Sequence, residues 1–254
     1  MIATTYPLTV QHQIDRLLRI ATQRPGRNTQ VSLGGLSVQQ PRGGAAAVDW
    51  WLSGGISAAN CIAAYQPKGA ASLAASYINL ATPGTNNVTI GVAPSFDTTT
   101  GWTFNGSTQY LIAGNVIPTN DQKYSIIIQY SNSTTVGGVL VGALNSGGSL
   151  AIWPNYYGNA VRYENGGITT KATGVGTGNL CVAGNKCYRN GVDEGITISV
   201  WTGVSEKVIY IGARNNNNFP ANLCNGIVTS IAIYGNTALT ALQVAALALE
   251  MVAL

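Results

Sequence analysis

The spacing of apolar positions changes along this 254-residue chain, and each change predicts a different kind of element. In residues 11–22, QHQIDRLLRIAT, the positions Ile14, Leu17, Leu18 and Ala21 recur at i, i+3, i+4 and i+7. That is one stripe of an amphipathic helix. Arg16 and Arg19 lie off the stripe, and Pro25-Gly26 ends the helix. Alternation in residues 28–48 then predicts one or two short strands, followed by a Gly/Ala linker. A helix this short is marginal by itself. Its stripe must be covered by the main domain, a second subunit or another protein.

From Trp50 the pattern becomes short β-branched and aromatic runs between turn clusters. Strands are predicted at 61–65, 102–104, 109–112, 124–130, 138–144, 149–153, 160–163, 180–183, 186–189, 196–200, 208–212 and 226–234. Pro83-Gly84, Asn105-Gly106, Asn165-Gly166, Gly184-Asn185 and Asn190-Gly191 stand between them as turns. Many short strands at this spacing predict an all-β fold, a β-sandwich or barrel. In 124–130, Tyr124, Ile126, Ile128 and Tyr130 share one face, and Ser125, Ile127 and Gln129 the other. The strand at 61–65 is expected to pair antiparallel with 226–234, where Ile227, Thr229, Ile231 and Ile233 alternate with Val228, Ser230, Ala232 and Tyr234. Thr240 is a good N-cap for a last helix at 241–254. Its stripe is read as Leu242, Ala245, Ala246 and Leu249, and because the helix is apolar nearly all round it is expected to be covered by protein. The domain reading is an arm, 1–48, and a sandwich with its C-terminal helix, 49–254.

Composition narrows the setting. Charged residues are 9%, against about 25% in an average domain. Solubility must rest on uncharged polar groups, as in exposed β proteins. No apolar run reaches the ~20 residues of a membrane span, so no membrane partner is expected. The start, MIATTYPLTVQHQIDRLL, lacks the form of a secretory signal. Residues 1–48 hold five arginines and one aspartate, while residues 49–254 hold eight basic and eight acidic side chains. The arm therefore carries the whole net charge of +4. It has no dense basic run with interleaved aromatics, so a solvated basic helix face is preferred to nucleic-acid binding. Cys61, Cys181, Cys187 and Cys224 contain no C-x-x-C, and His12 is the single histidine. No zinc set follows. Cys181 and Cys187 flank a hairpin tip: a three-residue loop would let them face each other, and a two-residue Gly184-Asn185 turn would put them out of register. Free thiols are expected.

Three segments carry a resemblance: GWTFNGSTQYL (101–111), CYRNGV (187–192) and IYIGARNNNNFPANLCNGIVTSIAIYGNTALTALQV (209–244). In order and character they resemble laminin-G-like, concanavalin-A-type jelly rolls, over about residues 58–250. The resemblance implies two antiparallel sheets and leaves activity open, because the fold hosts lectins, adhesion modules, glycosidases and capsid or fibre proteins.

Glycosidases on this fold need two carboxyls about 5–9.5 Å apart. The adjacent acids are Asp193 and Glu194, which a strand would point to opposite faces, and they are read as solvated turn charges. With no G-x-S-x-G, no P-loop and His12 in the arm, the chain is expected not to be an enzyme. A sugar site in such a fold pairs aromatic faces with Asn and Asp hydrogen bonds. The candidates are Trp153, Asn155, Tyr156 and Tyr157 in one loop, Asn216, Asn217 and Phe219 in another, and Trp201. The competing reading, preferred from sequence, is that Trp153 and Tyr157 fill the core and the Asn run tolerates turn conformations. The family implies calcium, for which Asp97 and Asp121 are weak candidates. A turn-capping aspartate is preferred, and no cofactor is expected.

The leading functional expectation is a structural virion protein of a tailed bacteriophage, made in the host cytoplasm. It would assemble with itself and other virion proteins through Ile14, Arg16, Leu17, Leu18 and Arg19, and would offer the jelly roll to a cell-surface glycan. The alternative is a secreted or cell-surface bacterial carbohydrate-binding module.

Overall fold

The computed structural model describes residues 32–33, 36–37, 49–116, 123–145, 148–165, 167–172, 174, 176–198 and 207–254. The chain divides into two compact units, Met1–Val48 and Asp49–Leu254. In the first, β1 (Ser32–Leu33) and β2 (Leu36–Ser37) pair antiparallel. The expected arm helix, with His12, Ile14, Arg16, Leu17, Leu18 and Arg19, lies outside the described residues, as do Asp121 and Trp201.

The second unit is a two-sheet sandwich. Its strands are β3 (Cys61–Tyr65), β4 (Thr89–Val92), β5 (Ser95–Asp97), β6 (Gly101–Asn105), β7 (Tyr110–Val116), β8 (Tyr124–Ser131), β9 (Val141–Asn145), β10 (Gly148–Tyr156), β11 (Ala160–Asn165), β12 (Gly167–Ala172), β13 (Gly178–Ala183), β14 (Lys186–Arg189), β15 (Val192–Thr197), β16 (Val208–Ile211), β17 (Arg214–Asn216), β18 (Phe219–Ala221) and β19 (Asn225–Gly235). A short helix α1 (Leu73–Ser76) follows β3, and α2 (Ala241–Ala253) ends the chain. The first sheet has the order β15-β14-β13-β8-β19-β6-β5, with β3 also paired to β19. The second runs β12-β11-β10-β9-β16-β7-β4 and carries the β17–β18 hairpin on β9.

The pairing of β3 with β19 is antiparallel, as the alternation predicts, with Tyr65 opposite Ile231 and Ala63 opposite Ile233. One detail differs. The β19–β8 register shifts between Val228 and Ser230. A bulge there turns the strand's faces over, so Val228 joins Ile231 and Ile233 in the inter-sheet core while Ile227 and Thr229 are half-buried. Tyr124, Ile126, Ile128 and Tyr130 of β8 point into that core, where they meet Leu111, Leu150, Ile152 and Ile209 of the second sheet. Trp102, fully buried, donates its indole N–H to Ser76 Oγ at 2.7 Å.

The opposite face of the first sheet is also covered. Ile127, Cys181, Ala183, Tyr188, Ala232 and Tyr234 form a second cluster with Trp50 and with Val244, Leu247, Ala248 and Met251 of α2. Thr240 caps α2 in a full capping box with Gln243. The buried stripe is not the one read from sequence. Leu242 is 72% exposed and Leu249 53%. The residues between them choose the face: Val244, Leu247 and Met251 are larger than Ala245 and Ala246, and burying them removes more apolar area from water. Ala245 and Ala246 then lie against Gly191 and Gly54, where a Cβ would come within 3.0–3.2 Å of the helix. Both glycines also have positive φ, +78° and +74°, so each is needed for conformation and for close approach.

The Gly184-Asn185 turn is the two-residue kind, since Ala183 pairs with Lys186. Cys181 therefore faces the helix side and Cys187 the inter-sheet core. All four cysteines are free and buried. Burial pushes the Cys61 and Cys224 thiols up to about 12, so neither is a thiolate at neutral pH.

The helix-covered face yields a paired prediction. Leu247→Ala should lower stability by about 2–5 kcal/mol in urea unfolding, whereas Leu242→Ala on the same helix should change it by under about 0.5 kcal/mol. Equal effects would mean that α2 does not dock by the stripe seen here.

Candidate functional site

The outer face of the second sheet gathers the aromatic and charged side chains that the core does not use. Strand alternation sets which ones. In β10, Leu150 and Ile152 turn inward, so Ala151 and Trp153 turn outward. In β11, Val161 and Tyr163 turn inward, and Arg162 and Glu164 outward. The register puts Trp153 opposite Arg162 and Ala151 opposite Glu164. Arg214 reaches the same face from β17, which runs parallel to β9 and sets Arg214 beside Gly142.

These residues form one packed group. Trp153 is 3% exposed and lies between two guanidiniums, with Arg162 and Arg214 each 5.3 Å from its ring centroid. Such contacts are cation–π attractions. Arg162 is also 4.4 Å from the Tyr156 ring. Glu164, 1% exposed, pairs with Arg162 and, at 3.6 Å, with Arg214, and accepts the Ser149 hydroxyl at 2.5 Å. Buried this deeply, the carboxylate depends on two guanidinium charges and one hydroxyl bond.

Beyond Trp153 the β10–β11 register shifts, and Tyr156 resumes pairing opposite Ala160. The bulge lifts a small aromatic stair out of the sheet. Tyr156 meets Trp153 edge to face at 5.4 Å, and Tyr157 meets Tyr156 at 5.0 Å. Tyr157 is 69% exposed. Asn155 fixes the stair to the neighbouring loop: its Nδ2 donates to the Thr134 carbonyl at 3.0 Å, and its carbonyl accepts from Gly137 N at 2.8 Å. That loop is itself held by Asn225, whose Oδ1 accepts from the Thr134 and Thr135 amides at 2.8 and 2.6 Å.

The second candidate segment is the β17–β18 hairpin. Asn217 and Asn218 take positive φ at its tip, a conformation that Asn tolerates. Tyr210, stacked on Tyr110 at 4.9 Å, donates its hydroxyl to the Asn218 carbonyl. Phe219 is 73% exposed. Asn216 sits beside Leu144, which faces Ser149. Ser149 lies four residues before Trp153, about 13 Å along the strand. Trp153, Asn155, Tyr156 and Tyr157 thus come together, and Asn216, Asn217 and Phe219 stand apart along the same side.

The sequence reading missed Arg162, Glu164 and Arg214, which tie the cluster together. The alternation of Val161, Arg162, Tyr163 and Glu164 carried the signal, because two charges two apart in a strand share a face. It also expected Trp153 and Tyr157 inside the sandwich. Trp153 is buried on the outer side with Val139 and Ala151, and Tyr157 is exposed. A bulge of one extra residue separates their fates.

Asp193 and Glu194 do point to opposite faces, but only Asp193 is a turn charge, accepting from Gly195 N at 2.8 Å. Glu194 pairs with Arg189 at 2.7 Å, with side-chain exposures of 8% and 15%. Lys171 Nζ donates to its carbonyl at 2.9 Å, and Tyr163 donates to the Tyr188 carbonyl. The group ties the edge of one sheet to the other. Asp97 caps its own turn, accepting from Thr99 N at 2.8 Å and Thr100 N at 3.2 Å. These bonds hold its carboxyl below the ordinary range, those from Thr99 contributing most. Among the described residues no three His, Cys, Asp or Glu side chains gather as a metal site, and no helix is long and apolar enough to cross a membrane.

No protein-family model matches the sequence. No curated protein matches it. Solved structures do match its fold. Trypanosoma rangeli sialidase in complex with 2,3-difluorosialic acid aligns with TM-score 0.55 at 14% identity, covering 95% of this chain and 39% of that one. A mutant of the same sialidase displaying trans-sialidase activity aligns with TM-score 0.54 at 15% identity, over 77% of this chain and 34% of that one. A mutant of HCR/D aligns with TM-score 0.51 at 13% identity, over 77% and 52%. The chain spans between about a third and about half of the length of these three structures. These likenesses establish the jelly-roll-like sandwich. They also overturn the expectation that the chain is not an enzyme: the fold recurs within sialidases, and nothing in it sets catalysis aside.

The two acids should separate by mutation. Glu194→Ala should destabilise by about 1–3 kcal/mol, because it breaks a mostly buried ion pair with Arg189. Asp193→Asn should cost under about 0.5 kcal/mol. Urea unfolding of both variants would show it, and a neutral Glu194→Ala would refute the inter-sheet role.

Proposed function

We propose that this chain is a carbohydrate-recognising β-sandwich module acting at a cell surface or outside the cell, and that the sugar lies on the aromatic stair of the second sheet. The observation that carries this reading is the exposed Tyr157 ring set against Tyr156 on a buried base, Trp153, clamped between Arg162 and Arg214. A ring fixed in this way offers an apolar face at little entropic cost. Polar groups beside it, in Asn155 and the Thr134–Thr135 loop, suit sugar hydroxyls. The occurrence of the fold within sialidases supports this reading over the virion one, which rests on sequence texture. Buried thiols with raised pKa values are compatible with an oxidising compartment, since they are poor nucleophiles.

Affinity electrophoresis through gels containing arabinan, dextran, galacturonan or hyaluronan tests the reading. At least one polymer should retard the full chain. Tyr157→Ala should weaken that retardation about tenfold while leaving the melting temperature unchanged, because Tyr157 is exposed. Retardation unaffected by Tyr157→Ala, or retardation by none of the polymers, would overturn it.

A further inference from the structure

We infer that the sugar taken by this face is acidic, and that its carboxylate is read by Arg214 and Arg162; this rests on the carbohydrate reading above. The charge count of the face is the starting point. Among the described strands of the second sheet, Arg162, Lys171 and Arg214 face a single acid, Glu164. Lys171 is turned to the sheet edge, where it bonds the Glu194 carbonyl. Among the described residues two guanidiniums therefore share one carboxylate, which leaves one positive charge in excess beside Trp153. The neighbouring segments 132–140, 157–159 and 217–224 contain no charged side chain that could balance it.

The cost of that excess is set by burial. The Arg162 and Arg214 side chains are 14% and 19% exposed, and Glu164 is 2%. The carboxylate is thus held beneath the two cations, and a second anion can approach only from outside. The Nε–H groups of both arginines are buried without a hydrogen-bond partner. Cations so poorly hydrated interact strongly with an incoming anion. A planar carboxylate matches the guanidinium fork better than a tetrahedral anion spread over three oxygens does. The adjacent rings fix what carries the carboxylate. Tyr156 lies over Arg162, and Tyr157 lies beyond it. A pyranose resting on Tyr157 would direct a ring carboxylate toward the arginines, as in a uronic-acid residue.

Titration calorimetry of the full chain with three probes tests this: a galacturonate trimer, its methyl ester and a sulfated neutral trisaccharide. The free acid should bind at least about tenfold more tightly than the ester, which has the same rings without the charge. The gap should narrow at about 0.5 M salt. Arg214→Lys, checked for an unchanged melting temperature, should retain part of the preference and Arg214→Met should lose it. Because the acid–ester comparison uses the unaltered protein, it stands even if Arg214→Met fails to fold. Equal affinity for acid and ester would overturn the inference and leave the sugar reading in place. Tighter binding of the sulfated probe would overturn the assignment to a carboxylate. If none of these probes binds and none of the gel polymers retards the chain, the sugar reading falls and this inference with it.

Discussion

The first sheet must be buried on both faces, and most of the second unit follows from that. β8 and β19 lie side by side at its centre and are apolar on each side: Ile126, Ile128, Ile231 and Ile233 inward, Ile127, Ala232 and Tyr234 outward. A strand so built cannot leave one face to water without exposing large apolar area. The second sheet closes one side. The C-terminal helix closes the other, and the approach is close enough that two neighbouring turns need glycine at Gly54 and Gly191.

With the helix on that side, the other broad face of the sandwich is the outer face of the second sheet, and its side chains are organised differently. Few are apolar enough to pack dry. Trp153 is buried by cations instead, and the cations are anchored by one deep carboxylate, Glu164. Rigidity and residual charge therefore have the same origin. The group that fixes the aromatic stair also leaves a positive field beside it. A bulge after Trp153 turns a buried ring and an exposed ring into consecutive steps.

The strands were legible because their period of two is written in β-branched and aromatic residues, and Asn-Gly and Gly-Asn turns punctuate them. The β3–β19 pairing was legible for the same reason. What was not legible depended on partners. The alternation in β19 does not announce the bulge at Val228–Ser230, which depends on β8. Both faces of α2 read as apolar, and the small difference in buried apolar area between the stripe with Val244, Leu247 and Met251 and the one with Leu242 and Leu249 shows only once the helix is docked. Glu194 reads as a turn charge until Arg189 and the opposite sheet are placed. The stair residues were named from composition, but Arg162, Glu164 and Arg214 come from strands distant in sequence, and register alone unites them.

The most direct test of the account is amide NMR mapping of the full chain titrated with the galacturonate trimer. Saturable shifts are expected, confined to Thr134–Gly138, Trp153–Tyr157, Arg162 and Arg214, with the amides of Asn190–Asp193 and of α2 unmoved. Shifts centred on α2 or on the Asn190-Gly191 turn, with the stair silent, would contradict it.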